Sequence, residues 1–205
     1  MLGLVEVCST RQYIGGEISM KILIASDLHG SIRYVDKLIE RIEVESPDRI
    51  ILLGDILYHG PRNDLPSEYS PKSVISALTP YSDKIVAVRG NCDAEVDLMV
   101  LPFEVKSRYV FSLGGRRVYA THGHHFNPSA MPKCLKEGDI LLTGHTHVVA
   151  NCDVGGVRYL NPGSISIPKQ DTPRGYIVVD ESAFVFCDLD GVEYDRYIYK
   201  NHANC

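Results

Sequence analysis

Three short runs built almost wholly from apolar residues, at positions 22–26, 50–53 and 85–88, constrain this chain more than any other feature. Such runs suit strands covered on both faces, because a strand with one wet face would alternate with polar residues. Between the first two runs, Ile32, Val35, Leu38, Ile39 and Ile42 fall on one side of a helix. Ser31 is placed to cap that helix and Pro47 to close it. A second helix is expected over residues 71–78. The order strand, helix, strand, helix, strand predicts parallel strands joined by right-handed crossovers.

The second half has a different texture. Residues 105–112 and 117–121 read as strands joined at Gly114-Gly115, and residues 140–143 form another buried run. Residues 149–153 and 157–160 make a hairpin across Gly155-Gly156. The C-terminal stretch reads as an antiparallel meander turning at Asp180-Glu181 and Asp190-Gly191. Two sheets packed face to face, with helices outside, accommodate both halves in one α/β domain over residues 20–205. Residues 1–19 precede Met20, which opens the first strand, and read as an extension outside that domain.

Bulk properties exclude several classes. A formal charge of -5 argues against a long nucleic-acid partner, since binding a phosphate backbone draws on Lys and Arg. No apolar run approaches the roughly 20 residues of a membrane span. The first residues lack the basic and apolar regions of a secretory signal. The six cysteines are scattered without a C-x-x-C pair, which fits neither a disulfide framework nor a thiolate zinc site. The cytoplasm is the expected compartment.

The chemistry lies where the apolar runs stop. Asp27 and His29 follow the first run, Gly54-Asp55 the second and Asn91 the third. His122 and His124 follow residues 118–120, and His145 and His147 follow residues 140–142. Five strand ends thus carry carboxylate, amide and imidazole groups, including five of the eight histidines. In open α/β sheets, ligands bind beyond the carboxyl ends of strands, so the five clusters are expected to converge. In an extended segment, alternation puts Asp27 and His29 on one side, and His145 and His147 likewise. Oxygen and imidazole donors without thiolates suit Mn, Fe, Ni or Zn.

The series Asp27-Leu28-His29, Gly54-Asp55, Gly90-Asn91, His122-Gly123-His124 and Gly144-His145-Thr146-His147 resembles the calcineurin-like metallophosphoesterase superfamily. The stretches GDILYHGPRN, VRGNCD, GHTH and NPGSISIPK are similar to its small YfcE-type phosphodiesterase branch. The resemblance implies a four-layer αββα sandwich of two mixed sheets and two divalent ions, Mn first, with Ni, Fe or Zn as alternatives. Asp27, His29, Asp55 and His147 would hold one ion. Asp55, Asn91, His122 and His145 would hold the other, with Asp55 as the bridge. The implied reaction is in-line attack on a phosphodiester by water or hydroxide lying between ions roughly 3.5–4 Å apart.

Cys92 stands where the wider superfamily carries a histidine, the acid for the departing oxygen. The YfcE-type branch shares this cysteine, so candidates for that acid are Cys92, His124 or a water. Arg62 and Asn63, with Asn91, are candidates to meet substrate, because Arg offers a planar fork of donors to phosphate. His59 and His125 are weaker candidates for the pocket wall. Asn161-Pro162-Gly163-Ser164 reads as a tight turn abutting the ions. The expected substrate is a small or nucleotide-like phosphodiester, with self-association left open. The alternatives are a phosphomonoesterase on a small metabolite, or a protein-binding scaffold like the retromer subunit of this fold.

Overall fold

A computed structural model describes residues 20–199. The extension at residues 1–19 lies outside the described residues, as do His202 and Cys205 in the C-terminal tail. No helix among the described residues is long and apolar enough to cross a membrane.

The chain makes two mixed sheets. The larger has the order β12-β11-β10-β1-β2-β3-β4, where β1 is Ile22–Ala25, β2 Arg49–Leu52, β3 Ile85–Val88, β4 Val105–Lys106, β10 Gly175–Val179, β11 Ala183–Asp188 and β12 Glu193–Ile198. Strands β1 to β4 run parallel and the C-terminal meander joins antiparallel to β1. The smaller sheet is β5-β6-β7-β9-β8, with β5 Tyr109–Leu113, β6 Arg116–Ala120, β7 Ile140–Leu142, β8 Val149–Val154 and β9 Val157–Pro162. Its β6, β7 and β9 are parallel.

Alternation along β1 explains the layers. Leu23 and Ala25 pack with Val35, Leu38 and Ile42 of helix α1 (Ile32–Glu45) and with Val74 and Leu78 of helix α2 (Pro71–Leu78). Ile22 and Ile24 point the other way, into the core between the sheets, with Val118, Ile140, Leu160 and Phe186. A strand buried on both faces shows no polar alternation, which is why its sequence is an unbroken apolar run.

On the outer face of the smaller sheet, Tyr119, Leu141, Val157 and Tyr159 are covered by Phe126, Met131 and Leu135. That layer is an irregular segment, not a helix, and Pro128 and Pro132 account for it by removing backbone donors.

Two local expectations are corrected, and one further element appears. Residues 105–112 are two strands in different sheets, because Ser107 and Arg108 carry the chain from one layer to the other. Ser31 sits at the helix N-cap position but makes no side-chain cap bond; its hydroxyl donates to Ser67 O at 2.5 Å. A short third helix, α3 (Glu95–Val100), follows Asp93, with Asp97 accepting from Ala94 N at 3.0 Å. Both sheets present the carboxyl ends of their parallel strands to the same place.

Candidate metal centre

The loops leaving β1, β2, β6, β7 and β9 meet above those strand ends and are stitched together by backbone. Asp27 N donates to Gly54 O at 3.2 Å, His29 N to Asp55 O at 2.8 Å and Gly144 N to His122 O at 2.8 Å. Packing is close enough to require glycine. A Cβ on Gly90 would overlap Asp55, and one on Gly144 would overlap Ser26.

Five of the expected ligands occupy the left-handed region: Asp27 (φ 56°), His29 (48°), Asp55 (53°), His145 (69°) and His147 (61°). This corrects the expectation that Asp-x-His and His-Thr-His converge by extended alternation. Their side chains are gathered by tight left-handed turns, which cost about 1–3 kcal/mol each in a non-glycine residue and persist only when the surroundings over-determine them. Here hydrogen bonds from neighbouring loops do so: Ser164 Oγ donates to Asp27 O at 2.8 Å and Lys169 N to His147 O at 2.9 Å.

The orientation of three imidazoles follows from their partners. Nδ1 of His29 lies 2.8 Å from Tyr58 O, that of His122 2.6 Å from Leu53 O, and that of His147 2.7 Å from Ile167 O. A carbonyl only accepts, so each Nδ1 carries the proton and each neutral ring presents a lone pair at Nε2. Those lone pairs face other acceptors. His29 Nε2 and His147 Nε2 are 3.1 Å apart, and His122 Nε2 is 3.0 Å from Asn91 Oδ1. Acceptor against acceptor at such distances is relieved by a cation between them, whether a proton or a metal.

The carboxylates complete the set. Asp27 Oδ2 accepts from Ser26 Oγ at 2.6 Å and His145 N at 3.0 Å. Its Oδ1 is buried without a hydrogen-bond partner, 3.3 Å from His147 Nε2 and 3.6 Å from His29 Nε2. Asp55 Oδ1 accepts from Cys92 N at 2.8 Å, which leaves Oδ2 facing both halves: 3.4 Å from His122 Nε2 and 3.8 Å from His29 Nε2. An orphaned buried oxygen and two acceptor pairs on either side of one carboxylate oxygen fit divalent cations. His145 is half-buried beside them, its ring 5.1 Å from that of His122.

The electrostatics agree. Burial works against charge on Asp27, but His147 and His29 outweigh it and pull its carboxyl well below the ordinary range. Burial likewise disfavours a charged His122, yet Asp55 and Asp27 hold its proton up to about 9. The pocket demands positive charge.

Around this centre, Cys92 is half-buried, and burial together with Asp55 and Asp93 pushes its thiol up to about 12. Burial, then His125, His122 and His145, lower His124 to about 4, so both groups are uncharged at neutral pH. Asn91 is exposed at the mouth, with Nδ2 donating to Cys92 Sγ at 3.3 Å. Asn63 Nδ2 turns back to His59 O at 2.7 Å, and Arg62 is exposed on the same loop. His125 is exposed, its ring centroid 4.0 Å from that of His124 with the planes tilted by 44°. Asn161 and Pro162 belong to β9, and Asn161 Nδ2 donates to Gly144 O at 2.8 Å, supporting the site without facing it as a ligand. Ser164 lies in the stretch expected to abut the ions, but sequence reasoning gave no role to Ser26 or Asp93. Of those two, only Asp93 left a signal, as a carboxylate two residues after Asn91.

The calcineurin-like phosphoesterase superfamily domain matches residues 20–183. The chain belongs to that superfamily. Phosphodiesterase YfcE of Escherichia coli (strain K12) is 41% identical over 162 residues, covering 78% of this chain and 88% of the relative. A solved structure of that E. coli phosphoesterase superposes with a TM-score of 0.84 at 37% identity, covering 88% of this chain and all of the other. Vps29 of Chaetomium thermophilum, 16% identical, shares the fold at a TM-score of 0.59 over 88% of this chain and 98% of its own. This phosphoesterase is a hydrolase acting on phosphate esters, and the superfamily's divalent metals have candidate ligands here in Asp27, His29, Asp55, His122 and His147.

Proposed function

We propose that this phosphoesterase hydrolyses small phosphodiesters with two divalent ions, Mn first. The observation that carries the reading is the pair of acceptor contacts flanking Asp55 Oδ2, His29 with His147 on one side and His122 with Asn91 on the other. Asp27, His29, Asp55 and His147 would hold one ion. Asp55, Asn91, His122 and His145 would hold the other. When bound, such ions neutralise phosphoryl oxygens and acidify water.

The chain's own groups supply the rest. Asn91 Nδ2, exposed at the mouth, can donate to a phosphoryl oxygen. Cys92 keeps its proton at neutral pH and can pass it to the departing oxygen, and His124 can donate as a neutral ring. A substrate with a fairly good leaving group suits this arrangement, because the acid assistance on offer is weak. E. coli YfcE carries the name phosphodiesterase, which supports the choice of a diester over a monoester. Thiols at Cys92, Cys152 and Cys187 that form no disulfide support a cytoplasmic location.

The test is activity against an aryl phosphodiester and the matching monoester after chelation and reconstitution. Chelated protein should be inactive and Mn²⁺ should restore diester cleavage. Undiminished turnover by metal-free protein would overturn the metal-dependent reading. Reconstituted protein inert on both esters would favour the scaffold.

A further inference from the structure

Asp93 faces none of the imidazoles, yet its side chain is buried at the centre of the loops that carry two expected ligands. Its Oδ2 accepts from Asp55 N at 2.9 Å and from Gly90 N at 2.7 Å, and its Oδ1 accepts from Ile56 N at 2.8 Å. Only 3% of the residue is exposed. A carboxylate taken out of water is costly unless it is fully hydrogen-bonded, and here three backbone donors meet it.

These bonds run between two loops. Asp55 and Ile56 leave β2, and Gly90 leaves β3 one residue before Asn91. The return contact closes a ring, because Cys92 N donates to Asp55 Oδ1 at 2.8 Å. Asp55 is thereby held at its backbone by Asp93 and at its side chain by the residue beside Asp93. It needs that hold, since its φ of 53° is a conformation a free aspartate seldom adopts.

We propose that Asp93 is a positioning residue for the metal centre. It locks the left-handed turn at Asp55 against Gly90, so that Asp55 Oδ2 and Asn91 Oδ1 address His122 together, at 3.4 Å and 3.0 Å. The proposal rests on the metal-holding role given to these residues above. It implies that losing the Asp93 carboxylate weakens chiefly the ion held by Asp55, Asn91, His122 and His145. Removing a group that orients ligands typically lowers metal affinity by about 10–100-fold.

The experiment titrates chelator-stripped full-length protein with Mn²⁺ alone, counting ions and their affinities, and follows thermal unfolding in chelator. Asp93→Asn should bind the ion shared with Asn91 about 10–100-fold more weakly, and the other, which meets this clamp through Asp55 alone, by a smaller factor. Asp180→Asn is the comparison. Asp180 also caps backbone, accepting from Ser182 N and Ala183 N at 2.8 and 2.7 Å, but at the opposite end of the sheet, where Val179 pairs with Ile22. That variant should lose thermal stability and keep both affinities. Should Asp93→Asn not fold, Asp93→Glu keeps the charge with a misfitting reach and should show the same unequal weakening to a smaller degree. Wild-type affinities at both ions in whichever Asp93 variant folds would overturn the proposal. Wild-type protein that binds fewer than two ions would overturn the underlying metal reading, and this one with it.

Discussion

Gly90→Ala tests the close approach of the β2 and β3 loops with one added carbon. Gly90 does not need a left-handed backbone, so alanine is tolerated by φ and the whole effect is steric. The new Cβ would sit 2.9 Å from Asp55 Cγ and closer still to its Oδ1 and N. Ordinary carbon contacts lie near 3.5–4.0 Å, so the loops must part by about 1 Å. Overpacking of this kind costs about 1–3 kcal/mol, which for a domain of this size is a fall of about 2–12 °C in Tm. The functional cost is larger, because a 1 Å misplacement of reacting groups is worth about 100-fold in rate. The stability gained on adding Mn²⁺ should shrink as well, since that increment follows metal affinity. Differential scanning calorimetry with and without Mn²⁺, alongside turnover of an aryl phosphodiester, reads all three. Gly115→Ala is the contrast: its φ of 77° strains an alanine but its Cβ meets nothing within 4 Å, at the far end of β6. It should lose stability and keep activity. Wild-type turnover in Gly90→Ala would refute the claim that the loop spacing sets the site.

Asp55→Asn should be the most damaging single ligand change, because Asp55 Oδ2 alone faces both halves of the centre; metal analysis finding two ions per chain would reject the bridge. Asn91→Ala should lose metal and nearly all turnover, whereas Cys92→Ala should keep its metals. The Cys92 deficit should be small for an aryl leaving group and rise toward about 100-fold for an alkoxide, and equal deficits on the two esters would remove the thiol as the acid. In chelator, His122 has its pKa raised from 6.5 to about 9, so its contribution to stability is complete below the lower value and is lost as pH rises through the upper one. Unfolding temperatures across that window should fall in metal-free protein and change less with Mn²⁺ bound; a flat metal-free profile would show that the ring is not protonated there.

The sequence by itself determined the layers and the donor chemistry. Ile22, Ile24, Ile51 and Leu53 on one face and Leu23, Ala25, Ile50 and Leu52 on the other are buried in separate cores, and only a strand covered on both sides leaves so uninterrupted an apolar record. Polar residues at the ends of β1, β2, β3, β6 and β7 were visible for the same reason, as breaks in those records. What the tertiary structure decided is how the donors converge. Left-handed φ at Asp27, His29, Asp55, His145 and His147 has no local signature in non-glycine residues, because hydrogen bonds from other loops hold it. The tautomers of His29, His122 and His147 depend on carbonyls at Tyr58, Leu53 and Ile167, which lie 29, 69 and 20 residues away in the chain. Asp93 is visible in sequence only as a carboxylate beside Asn91 and Cys92, and it becomes the clamp between two loops only once β2 and β3 lie side by side. Spacing along the chain records which groups are available, whereas their directions are set by contacts between segments that the chain brings together only on folding.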